Sequence, residues 1–112
     1  FLVERAKGMI SSGGENIYST QVEAAIHQHP AVLEVAVFGI PDEEWGESVK
    51  AVVVLKPGRQ ATSDEIITSA SEHLASYQKP KSVDFAEALP KAPTGKILKR
   101  ELRDPYWQGA SI

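Results

Sequence analysis

The sequence predicts an α+β fold: a small mixed three-stranded sheet flanked by helices, with an N-terminal two-stranded hairpin. Three observations carry this expectation. Residues 32–40 and 48–56 are apolar, β-rich runs separated by the turn Pro41-Asp42-Glu43-Glu44-Trp45-Gly46. Thr62-x-x-Glu65 has capping-box spacing and precedes Ile66, Ile67, Ala70, Leu74 and Tyr77, which recur at helical spacing. Residues 9–12 and 16–18 are short extended candidates around Gly13-Gly14-Glu15, where glycine permits positive φ.

The remaining elements follow in order. Ser19 or Thr20 can cap a first helix, and Thr20-x-x-Glu23 matches a capping box. Val22, Ala25 and Ile26 share one face of that helix, which Pro30 ends. In the next strand Val35, Val37 and Gly39 alternate with Ala36, Phe38 and Ile40, so both faces are apolar, as in a central strand. Pro57-Gly58-Arg59-Gln60 is a turn, and Lys79-Pro80 stops the second helix. A third strand covers residues 82–86, and Pro90, Pro93 and Gly95 mark a loop. A final short helix is expected over residues 97–103, with Leu98 and Leu102 one turn apart.

Composition narrows the function classes. The 112 residues suffice for one domain, 42% are apolar and 24% charged, as in an ordinary globular chain. No cysteine is present, which removes disulfides, thiolate nucleophiles and Cys-ligated zinc and suits a cytoplasmic location. The longest apolar run, Ala51 to Leu55, falls far short of the ~20 residues of a membrane helix. The chain starts Phe1-Leu2-Val3 without methionine, which reads as a strand cut from a longer protein.

Charge is divided along the chain. Residues 1–78 hold five basic and eleven acidic side chains, whereas residues 79–103 hold seven basic against three acidic ones. A basic C-terminal quarter on an acidic body is the pattern of an edge that meets an anion, or of a solvated helix face and loop. An overall charge of −3, with no Lys/Arg-Gly-Phe-type strand, argues against RNA recognition.

Most catalytic constellations fail here. His27 and His29 are two residues apart on a helix and point to different faces, so no metal site is expected. Thr94-Gly95-Lys96 resembles the end of a phosphate loop, but Pro90 and Ile97 stand where a Walker loop needs glycine and a hydroxyl residue. Two segments remain. Gly13-Gly14-Glu15-Asn16 is either a tight hairpin or a side-chain-free surface for a slender ligand. Lys96 lies on a Pro/Gly-shaped loop at a helix start: it is an ordinary surface residue, or a point charge projected toward phosphate.

Three motifs in order resolve these alternatives. Met-Ile-Ser-Ser-Gly-Gly-Glu-Asn-Ile, Pro-Asp-Glu-Glu-Trp-Gly-Glu and Pro-Thr-Gly-Lys-Ile-Leu-Lys-Arg-Glu-Leu together resemble the C-terminal domain of acyl-CoA synthetases, in the adenylate-forming superfamily. The resemblance covers almost the whole chain. It implies two half-reactions: a carboxylate attacks the α-phosphorus of ATP to give an acyl adenylate, and the thiol of coenzyme A then displaces AMP. It further implies that a large N-terminal domain of the same chain holds ATP, Mg²⁺ and the acyl group. The small domain closes over it in one orientation per half-reaction. Residues 1–7 would then be the end of the N-terminal domain and the hinge, and 8–112 the mobile domain.

The resemblance assigns roles residue by residue. Lys96 matches the adenylation lysine, Arg5 the arginine on the adenylate ribose, and Lys7 the hinge. Gly13, Gly14, Glu15 and Asn16 match the loop lining the pantetheine tunnel. Trp45, Tyr77, Lys79 and Lys81 sit near positions that contact the coenzyme A nucleotide. In purely structural terms, Tyr77 instead closes the apolar stripe of the second helix, and Trp45 caps the sheet. Glu4 and Gly8 depart from the commoner family pattern around the hinge, which puts a salt-bridge lock there in doubt. The expected substrate is a fatty or other hydrophobic acid. The alternatives are a ligase that loads a carrier-protein phosphopantetheine and a stand-alone α+β ligand-binding module. No nucleic-acid partner and no bound metal are expected.

Overall fold

The computed structural model describes residues 9–107. Arg5 and Lys7, and the boundary between residues 7 and 8, lie outside them. The hairpin strands β1 (Met9–Ser12) and β2 (Glu15–Tyr18) lead into helix α1 (Ser19–Ile26). Strands β3 (Val32–Asp42) and β4 (Gly46–Leu55) follow, then α2 (Ser63–Ser71), β5 (Ser82–Phe85) and α3 (Lys99–Trp107). Strand order in the main sheet is β3-β4-β5, with β3 antiparallel and β5 parallel to β4. The α+β class, the mixed three-stranded sheet and the hairpin are those the sequence predicts.

The central strand is β4, not β3. Strand β3 reads as central because both its faces are buried, yet among the described residues one of its hydrogen-bonding edges meets no strand. Side chains occupy that edge. The Val37 N–H donates to Glu23 Oε2 at 2.9 Å, and the Gly39 carbonyl accepts from Trp107 Nε1 at 3.0 Å. Burying these groups unpaired would cost free energy and leave a template for aggregation.

Each face of the sheet has its own core. Val35, Val37, Val49, Ala51, Val53 and Val83 pack with Ile10 and Ile17 of the hairpin, Val22 and Ile26 of α1, and Ile66 and Ala70 of α2. On the opposite face Ala36, Phe38, Val52 and Val54 pack with Leu89, and Ile97 and Leu102 cover them. Lys50 belongs to this second face, only 5% exposed. Its ammonium pairs with Asp84 at 2.8 Å, donates to Ser82 Oγ at 3.3 Å and lies 5.3 Å from the Tyr106 ring centroid.

Three helix boundaries differ from expectation. The Thr20–Glu23 capping box does not form: Tyr18 is the N-cap of α1 without a side-chain cap. Glu23 is engaged by Val37 and Lys99 instead. Helix α2 stops at Ser71, where the hydroxyl turns back to the Thr68 carbonyl, and the chain resumes in a 3-10 turn at Ser76–Gln78. Leu74 still packs on the first core, but Tyr77 is exposed, so it does not close the stripe. Helix α3 begins at Lys99 rather than residue 97 and runs through Pro105 to Trp107. Contacts of Tyr106 with Phe38 and of Trp107 with Gly39 hold that last turn on the sheet.

The α2 capping box is present: Glu65 N–H donates to Thr62 Oγ1 at 3.1 Å, and Thr62 N–H donates to Glu65 Oε1 at 2.8 Å. Replacing Thr62 by Ala is therefore expected to lower unfolding free energy by about 1 kcal/mol. Thr20→Ala, which removes no cap, should change it by less than about 0.5 kcal/mol. Urea unfolding of both variants checks the contrast.

Candidate functional site

The glycine turn is built by its neighbours. Ser12 pairs with Glu15, so Gly13 and Gly14 form a two-residue loop, with φ of +59° and +86°. Two successive positive φ values define the hairpin turn that glycine favours. Gly13 meets a second constraint: a Cβ there would lie 2.6 Å from Trp45 Cε3, and its N–H donates to the Trp45 carbonyl at 2.9 Å. The hairpin thus lies under the indole. Glu15 and Asn16 are exposed beside it. From below, the buried Glu47 carboxylate accepts from Ser11 N–H at 2.7 Å and fixes β1 to the end of the sheet.

Trp45 is half exposed, and the Lys81 ammonium lies 5.0 Å from its ring centroid. Such a contact is worth about 0.5–1 kcal/mol at an exposed site. Asp42 sets the loop that carries the indole: its Oδ1 accepts from Glu44 N–H at 2.8 Å and Trp45 N–H at 2.9 Å. These two backbone donors, Trp45 first, hold the Asp42 carboxyl below its ordinary value of 3.8, and Lys81 adds to the effect. Sequence reading missed Asp42, although Pro-Asp before a turn signals this Asx geometry.

Lys96 stands on a different feature, a tight hairpin rather than a helix start. Lys91 bridges to Ile97, Gly95 N–H donates to the Ala92 carbonyl, and Ala92 N–H donates to the Lys96 carbonyl, both at 2.8 Å. Gly95 has φ +91°, as in a three-residue turn that ends in a glycine bulge. Leu98 N–H closes the base onto the Pro90 carbonyl at 2.8 Å. The Lys96 side chain is exposed and, among the described residues, has no hydrogen-bond or ion-pair partner. Its hairpin is closed by backbone hydrogen bonds, while no described residue claims its ammonium.

The eight positions expected near coenzyme A do not form one cluster of contacts. Gly13, Trp45 and Lys81 come together, with Gly14, Glu15 and Asn16 contiguous in the turn. Tyr77 is exposed and Lys79 half-buried, and neither side chain joins a hydrogen bond, ion pair or ring contact among the described residues. Between them Gln78 accepts from Ala75 N–H and donates to Gln21, at the rim of an open groove of about 330 Å³ that His73 and Leu74 also line. Among the described residues no group of three His, Cys, Asp or Glu could hold a metal ion. No described helix is long and apolar enough to cross a membrane.

The described residues form a small α+β domain that exposes a hairpin lysine without a partner among them and a glycine turn beneath a tryptophan. The AMP-binding enzyme C-terminal domain family matches residues 21–96, and the chain belongs to that family. It is 46% identical over 106 residues to the long-chain-fatty-acid–CoA ligase FadD13 of Mycobacterium tuberculosis, covering 95% of this chain and 21% of that protein. It is 43% identical over 107 residues to the fatty acid–[acyl-carrier-protein] ligase ScoC of Streptomyces coeruleorubidus, covering 96% of this chain and 21% of that protein. A solved fatty acyl CoA synthetase of Mycobacterium tuberculosis superposes with a TM-score of 0.84 at 49% identity, over 91% of this chain and 20% of that one. The chain thus spans about a fifth of the length of these relatives.

Two outcomes test the turn. Gly13→Ala should destabilise by at least about 1 kcal/mol from its positive φ alone, and more than Gly14→Ala, because only Gly13 carries the indole. Unfolding midpoints and tryptophan emission report both. Asp42 holds its proton less tightly folded than unfolded, so its stabilising contribution is complete above 3.8 and lost as pH falls through its lowered value. Asp42→Asn should remove that part of the acid dependence of unfolding and leave the slope above pH 5 unchanged.

Proposed function

We propose that this chain is the mobile C-terminal domain of an ATP-dependent acyl-CoA ligase acting on a fatty or other hydrophobic carboxylate. Residues 1–7 are the end of the preceding domain and its hinge, with Arg5 at the adenylate ribose and Lys7 as pivot. The single observation that carries the reading is Lys96: exposed, without a partner among the described residues, and set on a hydrogen-bonded hairpin in a chain of this family. The names of the relatives, which act on fatty acids, support the substrate class.

The chemistry follows from charge. Joining a carboxylate to the α-phosphate of ATP brings two anions together, and an ammonium between them offsets that repulsion as charge shifts along the in-line axis. Lysine suits this role because its point charge sits on a long, flexible stem. The preceding domain holds ATP and its Mg²⁺. In the second half-reaction the Gly13-Gly14-Glu15-Asn16 turn admits the pantetheine arm. Trp45 and Lys81, with Tyr77 and Lys79, meet the nucleotide of coenzyme A. An aromatic face beside an ammonium fits a purine with phosphates, and of these four only Trp45 and Lys81 are already joined. A cysteine-free chain suits a cytoplasmic setting for this reaction.

A second reading has a specific observation in its favour: similarity to a ligase that loads an acyl carrier protein is nearly as high as to one that loads coenzyme A. Both present a phosphopantetheine thiol, so the glycine turn serves either. Trp45 and Lys81 discriminate, because a carrier protein brings no adenine nucleotide.

In the full-length ligase, Lys96→Ala should remove roughly 3–4 kcal/mol of transition-state stabilisation from adenylate formation. Thioester formation from supplied acyl adenylate should persist. Carboxylate-dependent pyrophosphate exchange measures the first and adenylate consumption the second; equal loss in both rejects the role. Trp45→Ala should raise the coenzyme A KM and spare adenylation.

A further inference from the structure

We infer that Glu23, on α1, is a positioning residue for Lys96, acting through Lys99; this rests on Lys96 being the adenylation lysine. The Lys96 hairpin carries its ammonium on a flexible stem, so accuracy of delivery depends on how firmly the hairpin base is held. Two lysines flank that base. Lys91, on one arm, pairs with Glu34 of β3. Lys99, just past the other arm, pairs with Glu23 Oε2 at 2.6 Å and donates to Ser19 Oγ at 3.0 Å. Leu98, directly before Lys99, closes the hairpin onto Pro90. Movement of Lys99 is therefore movement of the hairpin base.

Glu23 differs from an ordinary surface partner. The same carboxylate oxygen accepts the Val37 N–H at the uncovered edge of β3, and it is drawn away from the helix cap that its spacing offers. One oxygen thus joins α1, the sheet and the start of α3. Its side chain is 21% exposed and that of Lys99 is 32%, which shields the pair partly from solvent screening. Ser19, fully buried at the first turn of α1, adds a second anchor for the same ammonium. Neither Glu23 nor Lys99 need touch substrate for this role.

The test uses the full-length ligase and both half-reactions. Glu23→Gln keeps an oxygen acceptor for Val37 N–H but drops the charge; Lys99→Met removes the cation and leaves the strand edge paired. Each should lower kcat of adenylate formation roughly 10- to 100-fold, the scale of a misplaced catalytic group. The KM values for ATP and carboxylate should stay within about two-fold, and thioester formation from supplied acyl adenylate should be unchanged. The double variant should be no worse than Lys99→Met alone, because once the cation is gone the Glu23 charge has no partner there to lose. An unchanged adenylation kcat in Lys99→Met, or equal loss in both half-reactions, overturns the inference. Lys96→Ala separates the two levels. If it abolishes adenylation while Glu23→Gln and Lys99→Met leave its kcat unchanged, only the positioning role falls. If it leaves adenylation intact, the reading of Lys96 falls with it.

Discussion

Burial of both faces of the β3–β4 pair is the constraint on which the rest of the structure depends. Two adjacent strands whose side chains are apolar above and below cannot leave either face in water. The first face is covered by the hairpin, α1 and α2. Among the described residues, the second is covered by the segment after β5, through Leu89, Ile97 and Leu102. This segment also carries Lys96. Covering the sheet and presenting the lysine are therefore one structural act, which explains how a small loop of Pro, Thr and Gly can be ordered at the surface.

The two presenting features sit on the same sheet by different means. The glycine turn is held at the Gly46 end by Glu47, the Trp45 carbonyl and the indole face. The lysine hairpin is held by hydrophobic cover, its own backbone bonds and the flanking lysine–glutamate pairs. A rigid sheet joining them means that any rotation of the domain moves both together. In the function proposed above, the two half-reactions use these two features in turn.

Much of this was legible in the sequence. The β-branched runs, the Gly-Gly turn and the Thr62 box are local signals, and local physics decides them. The Thr20–Glu23 box is equally good on paper and fails, because Glu23 gains more from the unpaired Val37 N–H and Lys99 than from the helix start. Tyr77 has the right spacing for α2, but the helix stops at Ser71, before it reaches Tyr77. Lys50 gave no sign of burial, since its environment depends on Tyr106, fifty-six residues away and held there by α3. What sequence spacing leaves out is competition from partners distant along the chain. At the site this competition created the Trp45–Lys81 pair.

Amide hydrogen exchange after trimming the second face most directly tests whether the sheet itself holds the lysine hairpin. Val52 faces Leu89 in that core and is distant in sequence from the hairpin. In Val52→Ala the amides of Ala92 and Leu98 should lose protection, while those of His27 and Ile66, which belong to first-face elements, keep theirs. Unaltered protection at Ala92 and Leu98, or a uniform loss at all four, would contradict the account.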